Sequence, residues 1–248
     1  MLEGLREAME FLTDLKTEAN KTEVLEINGK TYADKQLQRY DALPYATAIE
    51  VSTLSALVDY IATCSDEFRK DMIIHIASPT EVYLLSKLDS DRKRETLVSV
   101  KANVSEFEFD HWYDQERFMI EMQANFEDSE DRECILKMAG NIERKNEQSF
   151  TDNGTDQVVT MSVGVAAKRD VLVPNPVALA PYRTFQEVEQ PVSEFIFRIG
   201  DKEQPNFKLV EAQNGIWRNE AIQSIREYLS GELSRMPKEI REKVTIIG

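Results

Sequence analysis

The sequence predicts an α+β protein built mainly from antiparallel sheet, with several helices packed against it. Some segments carry apolar residues at the three- and four-residue spacing of an amphipathic helix. Others are short, rich in β-branched and aromatic residues, and bounded by turn-forming pairs such as Asn28-Gly29. The two kinds of segment do not alternate strictly along the chain, as they would in a doubly wound parallel sheet. Antiparallel strands are therefore predicted.

The first 50 residues are predicted to form a helix and a hairpin. A lone helix of about five turns needs something to pack on, either its own domain or a second subunit. If a second subunit supports the helix, its apolar stripe is a candidate oligomerisation surface. The stripe recurs at three- and four-residue steps and consists of Leu2, Leu5, Met9 and Leu12. Asn28-Gly29, between VLEI and TYA, predicts a tight β-hairpin turn.

We assign residues 1–50 to this N-terminal arm and residues 51–248 to an α+β domain, with a candidate sub-boundary near 146–154. Ser52 or Thr53 can cap the first helix of the domain. Its apolar face is predicted to be Leu54, Leu57, Val58 and Ile61. The run MIIHIASPTEVYLLSKL favours a two-stranded hairpin, and RETLVSVKANV a third strand.

The segment SEFEFDHWYD alternates aromatic rings with carboxylates, which predicts a strand with Phe107 and Phe109 inward and the acids outward. Asp114 and the pair Asp128-Ser129 are predicted N-caps of two further helices. The predicted buried residues of the first helix are Phe118, Ile120, Met122 and Phe126. The second helix is predicted to run through Ile135, Leu136, Met138 and Ile142.

Beyond residue 146 the sequence predicts mostly strands. TDQVVTMSVGVA alternates as a strand does, with Gly164 as a candidate bulge. Four prolines between Pro174 and Pro191 indicate edge strands and crossing loops. EFIFRI and NFKLVEA predict an antiparallel pair, and VTIIG an edge strand. The segment IWRNEAIQSIREYL, between NFKLVEA and VTIIG, predicts a helix that buries Trp217, Ala221, Ile225 and Leu229.

The chain carries a formal charge of −15, and much of it lies between Ser105 and Glu133. That segment holds eleven carboxylates and two arginines, a net −9. A surface of this sign repels nucleic acid and anionic membranes, which proteins bind through Lys and Arg. About half of these acids stand at predicted helix starts, where the helix dipole favours them. The rest form either a solvated face or a surface for a basic partner.

The sequence contains no catalytic, phosphate-binding or metal-binding motif, and it indicates no cofactor. His75 is predicted to be a structural histidine on a strand. His111 has carboxylate neighbours and is the one candidate for an enzymatic base.

Cys64 and Cys134 form no disulfide framework, which fits a reducing compartment. The start MLEGLREAMEFL lacks the apolar core of a signal peptide, and no apolar run has the length of a membrane span. A cytoplasmic location is therefore expected.

Two clusters could bind a macromolecule. The aromatic residues Phe107, Phe109, Trp112 and Tyr113 are interleaved with acids, which favours core-edge packing or a protein-binding hot spot over nucleic-acid stacking. The better of two nucleic-acid candidates is a basic group consisting of Lys87, Arg92, Lys93 and Arg94.

The order of several segments resembles a known family. The residues that carry the resemblance are Thr53, Leu54, Leu57, Val58 and Tyr60 in a helix, Arg94 and Leu97 in a strand, and then Pro181, Tyr182, Arg183, Phe185, Phe195, Phe197, Arg198 and Ile199. Over roughly residues 50–235 the chain resembles an uncharacterised family of tailed phages and prophages, the YfdQ-like group. The resemblance implies a phage or prophage gene acting in the bacterial cytoplasm, and it brings no catalytic residues.

The function that follows is a non-enzymatic phage interaction protein that self-associates and binds a host or phage protein, with inhibition of a host defence system as one role. The predicted partner-binding residues are Glu106, Glu108, Asp110, Trp112 and Tyr113. Two alternatives remain: an accessory factor in phage DNA replication or recombination, related to single-stranded DNA, and an enzyme with a site near His111. No membrane partner is expected, and nucleic acid is the less favoured partner.

Overall fold

The computed structural model describes residues 2–27, 30–33, 44–142, 151–152, 157–163, 167–172, 175–200, 205–213 and 215–248. It divides the chain into two compact units, Met1–Pro44 and Tyr45–Gly248. Helices and strands in the described residues are mixed without strict alternation, and most strand pairs are antiparallel. The predicted α+β class, mainly antiparallel sheet with several packed helices, is confirmed.

The helices are α1 (Leu2–Asn20), α2 (Leu54–Thr63), α3 (Gln115–Asn125), α4 (Glu130–Asn141), α5 (Trp217–Arg235) and α6 (Lys238–Arg241). A short 3₁₀ turn covers Ser65–Glu67. The strands are β1 (Val24–Ile27), β2 (Lys30–Ala33), β3 (Ile49–Val51), β4 (Met72–Ser78), β5 (Glu81–Ser86), β6 (Thr96–Lys101), β7 (Tyr113–Asp114), β8 (Thr151–Asp152), β9 (Gln157–Val163), β10 (Ala167–Leu172), β11 (Val177–Leu179), β12 (Ser193–Gly200), β13 (Asn206–Glu211) and β14 (Val244–Ile247).

The smaller unit contains α1 and an antiparallel hairpin of β1 and β2. Ile27 pairs with Lys30, so two residues connect the strands and the predicted hairpin is confirmed. The turn pair Asn28-Gly29 itself lies outside the described residues.

The larger unit contains a five-stranded sheet in the order β14-β4-β5-β6-β3. The central strands β4, β5 and β6 form an antiparallel meander, as predicted, while β14 and β3 pair parallel to their neighbours at the two edges. Alternate residues point to one buried face, beginning with Met72, Ile74 and Ile76 on β4. Helices α2 and α5 cover this face with Leu57 and Leu229, both fully buried.

A second core forms where α3 and α4 meet a four-stranded sheet in the order β11-β12-β13-β7. Phenylalanine rings fill it. Phe118 of α3 stacks on Phe197 and Phe207, with ring centroids 5.7 and 5.2 Å apart. Offset aromatic stacking at this distance adds to the free energy gained by burial alone. The acidic part of the chain, residues 105–133, contributes Phe107, Phe118 and Phe126 to this second core.

The strand predicted in TDQVVTMSVGVA is confirmed as β9, which lies between β10 and β8 in a three-stranded antiparallel sheet. The candidate bulge at Gly164 lies outside the described residues, and so does most of the candidate sub-boundary at 146–154. The predicted edge strand VTIIG is confirmed as β14.

Three predicted placements were wrong. The segment before Tyr113 is irregular and does not form a strand, although its rings do point inward. Ile120 is exposed, because it lies about 200° around α3 from the buried positions 118 and 122. Trp217 is only partly buried, because α5 begins there and its ring lies over Arg183 instead of against the sheet.

Candidate functional site

A cleft of about 780 Å³ lies between residues 104–114 and the polar face of α3. It brings together four of the five predicted partner-binding residues, namely Glu106, Glu108, Trp112 and Tyr113. The candidate base His111 also lines it. The helix side supplies Asp114, Arg117, Glu121 and Asn125. Sequence inspection missed the last three, although their four-residue spacing is the signal that places them on one helix face.

The loop before α3 is held by hydrogen bonds that replace strand pairing. The amide of Ser105 donates to the Tyr182 carbonyl at 2.7 Å, and the amide of Asp110 donates to the Leu209 carbonyl at 2.7 Å. Asp110 has a φ of 59°, a left-handed conformation that Asp tolerates better than most residues. The turn there lets the loop double back toward α3, so the backbone of the cleft wall is well anchored.

Aromatic rings form the floor beneath this loop. The Phe107 ring is buried, with its centroid 4.9 Å from that of Phe126. Phe109 stacks on Phe195 at 5.1 Å. Tyr113 is also buried, and burial raises the pKa of its hydroxyl. Tyr113 therefore supports the cleft more than it presents a contact surface.

The carboxylates of the cleft differ in what they already bind. Asp114 caps α3 by accepting the Arg117 amide at 2.8 Å. Glu121 pairs with the Arg117 guanidinium at 3.1 Å and accepts the Asn125 side-chain amide at 2.6 Å. Glu106 and Glu108 are exposed, and within the described residues no lysine or arginine pairs with either. These two carboxylates carry the charge that the cleft offers to a ligand.

Asp110 and Trp112 share a cation supplied by the protein itself. The Lys208 ammonium binds the Asp110 carboxylate and lies 5.0 Å from the centre of the Trp112 ring. Such a cation–π contact is favourable at this distance. Asp110 does not line the cleft, because its side chain is directed to Lys208. Trp112 remains exposed on the cleft side of this pair.

His111 is not held as a catalytic base would be. Its Nδ1 lies 3.7 Å from Glu108 Oε2, beyond hydrogen-bonding distance, and both side chains are more than half exposed. Its ring packs edge-on against Tyr113 at 4.8 Å. A base in a catalytic triad needs a hydrogen-bonded partner that fixes its orientation. Among the described residues, none gives His111 such a hydrogen bond, although the ring lines the cleft.

In the part of the chain that the structure describes, no group of three or more His, Cys, Asp or Glu residues is placed to hold a metal ion. Cys64 and Cys134 are both free thiols. His75 lies on the outer face of the five-stranded sheet, 6.4 Å from the Tyr83 ring. Among the described helices, none combines the length and apolar character needed to cross a membrane.

The basic group is largely engaged in local contacts. Lys87 pairs with Asp71 at 2.8 Å, and Arg94 donates to the Ser86 carbonyl at 3.0 Å. Arg92 stands at a tight turn with a φ of 60°. The loop that carries these residues also contains Asp89 and Asp91, which reduce its net charge.

The predicted oligomerisation stripe lies on α1. Met9 and Leu12 are each 64% exposed. The side chains of Leu2 and Leu5 lie outside the described part of the structure.

Comparisons with known proteins give the chain no relative: no protein-family model, no curated protein and no solved structure matches it.

Proposed function

We propose that this chain is a non-enzymatic interaction protein whose cleft takes a Lys- or Arg-bearing segment of a host or phage protein. The observation that carries the proposal is a pair of exposed carboxylates, Glu106 and Glu108, which lie beside the Trp112 ring in one cleft and pair with no lysine or arginine among the described residues. Carboxylates bind guanidinium and ammonium groups, and the exposed part of the Trp112 ring can contact the apolar stem of a Lys or Arg side chain. A cationic protein segment matches both chemistries.

The rigidity of the site supports recognition by a preformed surface. The loop backbone is bonded to Tyr182 and Leu209, and the rings beneath it are packed in the aromatic core. A preformed site loses less conformational entropy on binding than a mobile loop does. Exposed charges of this kind act mainly on the association rate and on its dependence on salt.

The test uses the full chain with Glu106→Gln and Glu108→Gln combined. A matched control carries Glu116→Gln and Glu130→Gln, which remove the same charge from exposed positions of the same acidic segment outside the cleft. Both variants are used in pull-downs from bacterial host lysate, and association rates are then measured with the captured partner at low and high ionic strength. A Lys/Arg-rich peptide serves as a defined probe.

We expect the cleft variant to associate at least about tenfold more slowly at low salt, with the difference shrinking at high salt. The control should associate at close to the parent rate. Equal association rates for the two variants would contradict the proposal. Retention of the parent chain on single-stranded DNA at moderate salt would instead favour the replication or recombination role.

We also propose that the protein is encoded by a phage or prophage and acts in the bacterial cytoplasm. What supports this origin is the segment resemblance described above, from Thr53 to Ile199. Inhibition of a host defence system is one role that such a partner-binding cleft can serve, and the identity of the captured partner tests it.

A further inference from the structure

Helix α1 carries an apolar surface that is strongly exposed in the structure. Its 19 residues hold five carboxylates and two cationic side chains. At about 100° per residue, nearly all the charged residues fall on one half of the helix and the apolar ones on the other. The large apolar side chains are strongly exposed: Met9 64%, Phe11 65%, Leu12 64% and Leu15 47%. An amphipathic helix of this kind gains its stability from the surface it packs on.

The apolar residues in the sequence of α1 define a heptad frame. Leu5, Leu12 and Ala19 take the a positions, and Ala8 and Leu15 take the d positions. This frame is centred on Leu12 and includes Leu15, which the predicted stripe of Leu2, Leu5, Met9 and Leu12 left out. The outer b and f positions bond along the helix, as in the Arg6–Glu10 pair at 3.1 Å.

We propose that α1 packs against α1 of a second copy of this chain as a parallel two-stranded coiled coil with Leu12 at the centre of the seam. In this frame no charged residue takes an a or d position, so two copies can close together without burying a charge. The pairing uses a surface other than the cleft and does not rest on the function proposed for the cleft.

The contacts between g and e positions favour the parallel arrangement. In a parallel pair, each g position faces an e position of the other helix five residues on. Phe11 then faces Lys16 of the partner subunit, a favourable aromatic–cation contact. Gly4 faces Met9 of the partner subunit, where a Cβ on Gly4 would meet nothing within 4 Å. An antiparallel pair would instead bring g to g and e to e, which removes the contact between Phe11 and Lys16 of the partner subunit.

Charge also favours a second copy of the chain over a membrane as the surface that α1 binds. Helices that lie on membrane surfaces carry Lys and Arg on their polar face, which attracts anionic lipid. The polar face of α1 is acidic, with Glu3, Glu7, Glu10 and Asp14. Anionic lipid repels such a face, whereas a second α1 needs contact only with the apolar side.

The first test measures the mass of the full chain by light scattering and sedimentation over a concentration series. The interface variant combines Leu12→Glu with Leu15→Glu. Its matched control combines Thr13→Glu with Thr17→Glu, which adds the same charge to the opposite face of the same helix. We expect the parent and the control to approach twice the 28.5 kDa chain mass, and the interface variant to dissociate at least about tenfold more readily.

Circular dichroism of all three proteins checks that the rest of the chain stays folded. A parent that remains monomeric at concentrations on the order of tens of micromolar overturns the proposal. Dimers that persist in the interface variant overturn it as well, because the contact then lies elsewhere.

The second test fixes the orientation in a Cys64→Ser, Cys134→Ser background. A disulfide needs Cα atoms within about 7 Å, and a positions meet each other across a parallel seam. Leu12→Cys chains should therefore crosslink with one another on mild oxidation. In an antiparallel pair an a position faces a d position, so crosslinks would form only when Leu12→Cys chains are mixed with Ala8→Cys chains. That result would overturn the parallel arrangement.

Discussion

The backbone amide of Glu108 donates a hydrogen bond of 2.9 Å to the hydroxyl oxygen of Tyr113. Tyr113 is buried at the start of α3, while the Glu108 side chain is exposed on the cleft wall. One buried ring thus fixes the backbone from which a cleft carboxylate projects. The two residues are five positions apart, and the turn at Asp110 brings them together.

Replacing Tyr113 by Phe should destabilise the protein by about 0.5–1.5 kcal/mol, because the Glu108 amide loses its acceptor. Urea unfolding measures the change. Tyr83→Phe is the matched control: its hydroxyl reaches Glu81 at 3.3 Å on the outer face of the sheet, and its loss should cost less than about 0.5 kcal/mol. Equal effects would mean that the Tyr113 hydroxyl does not hold the loop.

Leu229→Ala should cost about 2–5 kcal/mol, because the side chain is fully buried between α5 and the five-stranded sheet. The next residue, Ser230, is exposed, so Ser230→Ala tests the same helix without touching the core. Thermal and denaturant unfolding compare the two variants. A Leu229→Ala protein that melts within a degree or two of the parent would show that this face is not packed.

Arg183→Lys should destabilise by about 1–3 kcal/mol, since lysine cannot reproduce the planar fork. The guanidinium pairs with Glu211 at 3.2 Å, donates to the Pro191 carbonyl at 3.1 Å and stacks 4.1 Å above the Trp217 ring. Burial lowers the pKa of Arg183, and Glu211 offsets part of that shift.

Arg226→Lys is the control for this change, because Arg226 is exposed and donates to the Gly248 carbonyl alone among the described contacts. Indole fluorescence should report the loss of the stacked guanidinium in the Arg183 variant. Similar unfolding free energies for the two variants would contradict the role assigned to Arg183.

The stabilisation that the Tyr45–Asp89 hydrogen bond gives the folded protein should be lost at alkaline pH. The Tyr45 hydroxyl donates to Asp89, and this bond is the largest cause that raises the pKa of Tyr45 from 10.0 to about 12. A raised folded-state pKa gives stability that is complete below pH 10 and is lost as the pH rises through about 12.

To test this, the unfolding free energies of the parent and of Tyr45→Phe are measured across the alkaline range. The difference between the two should be constant up to about pH 10 and then shrink. A difference that does not change up to pH 12 would show that the hydroxyl is not bonded as described.

The local sequence determined the helix starts and the hairpins. Thr53, Asp114 and Ser129 each cap a helix by accepting the backbone amide three residues on, a bond that needs no distant partner. The meander of β4, β5 and β6 follows from alternating apolar residues and short connections. Such features depend on residues within a few positions, so their pattern can be read along the chain.

The sequence pattern indicated only the loop side of the candidate site and not the side formed by α3. Glu106, Glu108, Trp112 and Tyr113 stood out because charge and rings cluster in the sequence. Their partners on α3 did not, since Arg117, Glu121 and Asn125 matter only where the loop folds over them. The alternation of Phe107 and Phe109 with acids suggested a strand, yet the amides there bond to distant carbonyls.

Tertiary structure decided the contacts between segments far apart in the chain. It places β14 parallel to β4, across an interval of about 170 residues, and it seats the Arg183 guanidinium over Trp217. It also directs Asp110 to Lys208 and leaves Ile120 in solvent. Alternation and capping specify which face of an element is apolar, but which partner covers that face depends on the packing of the whole chain.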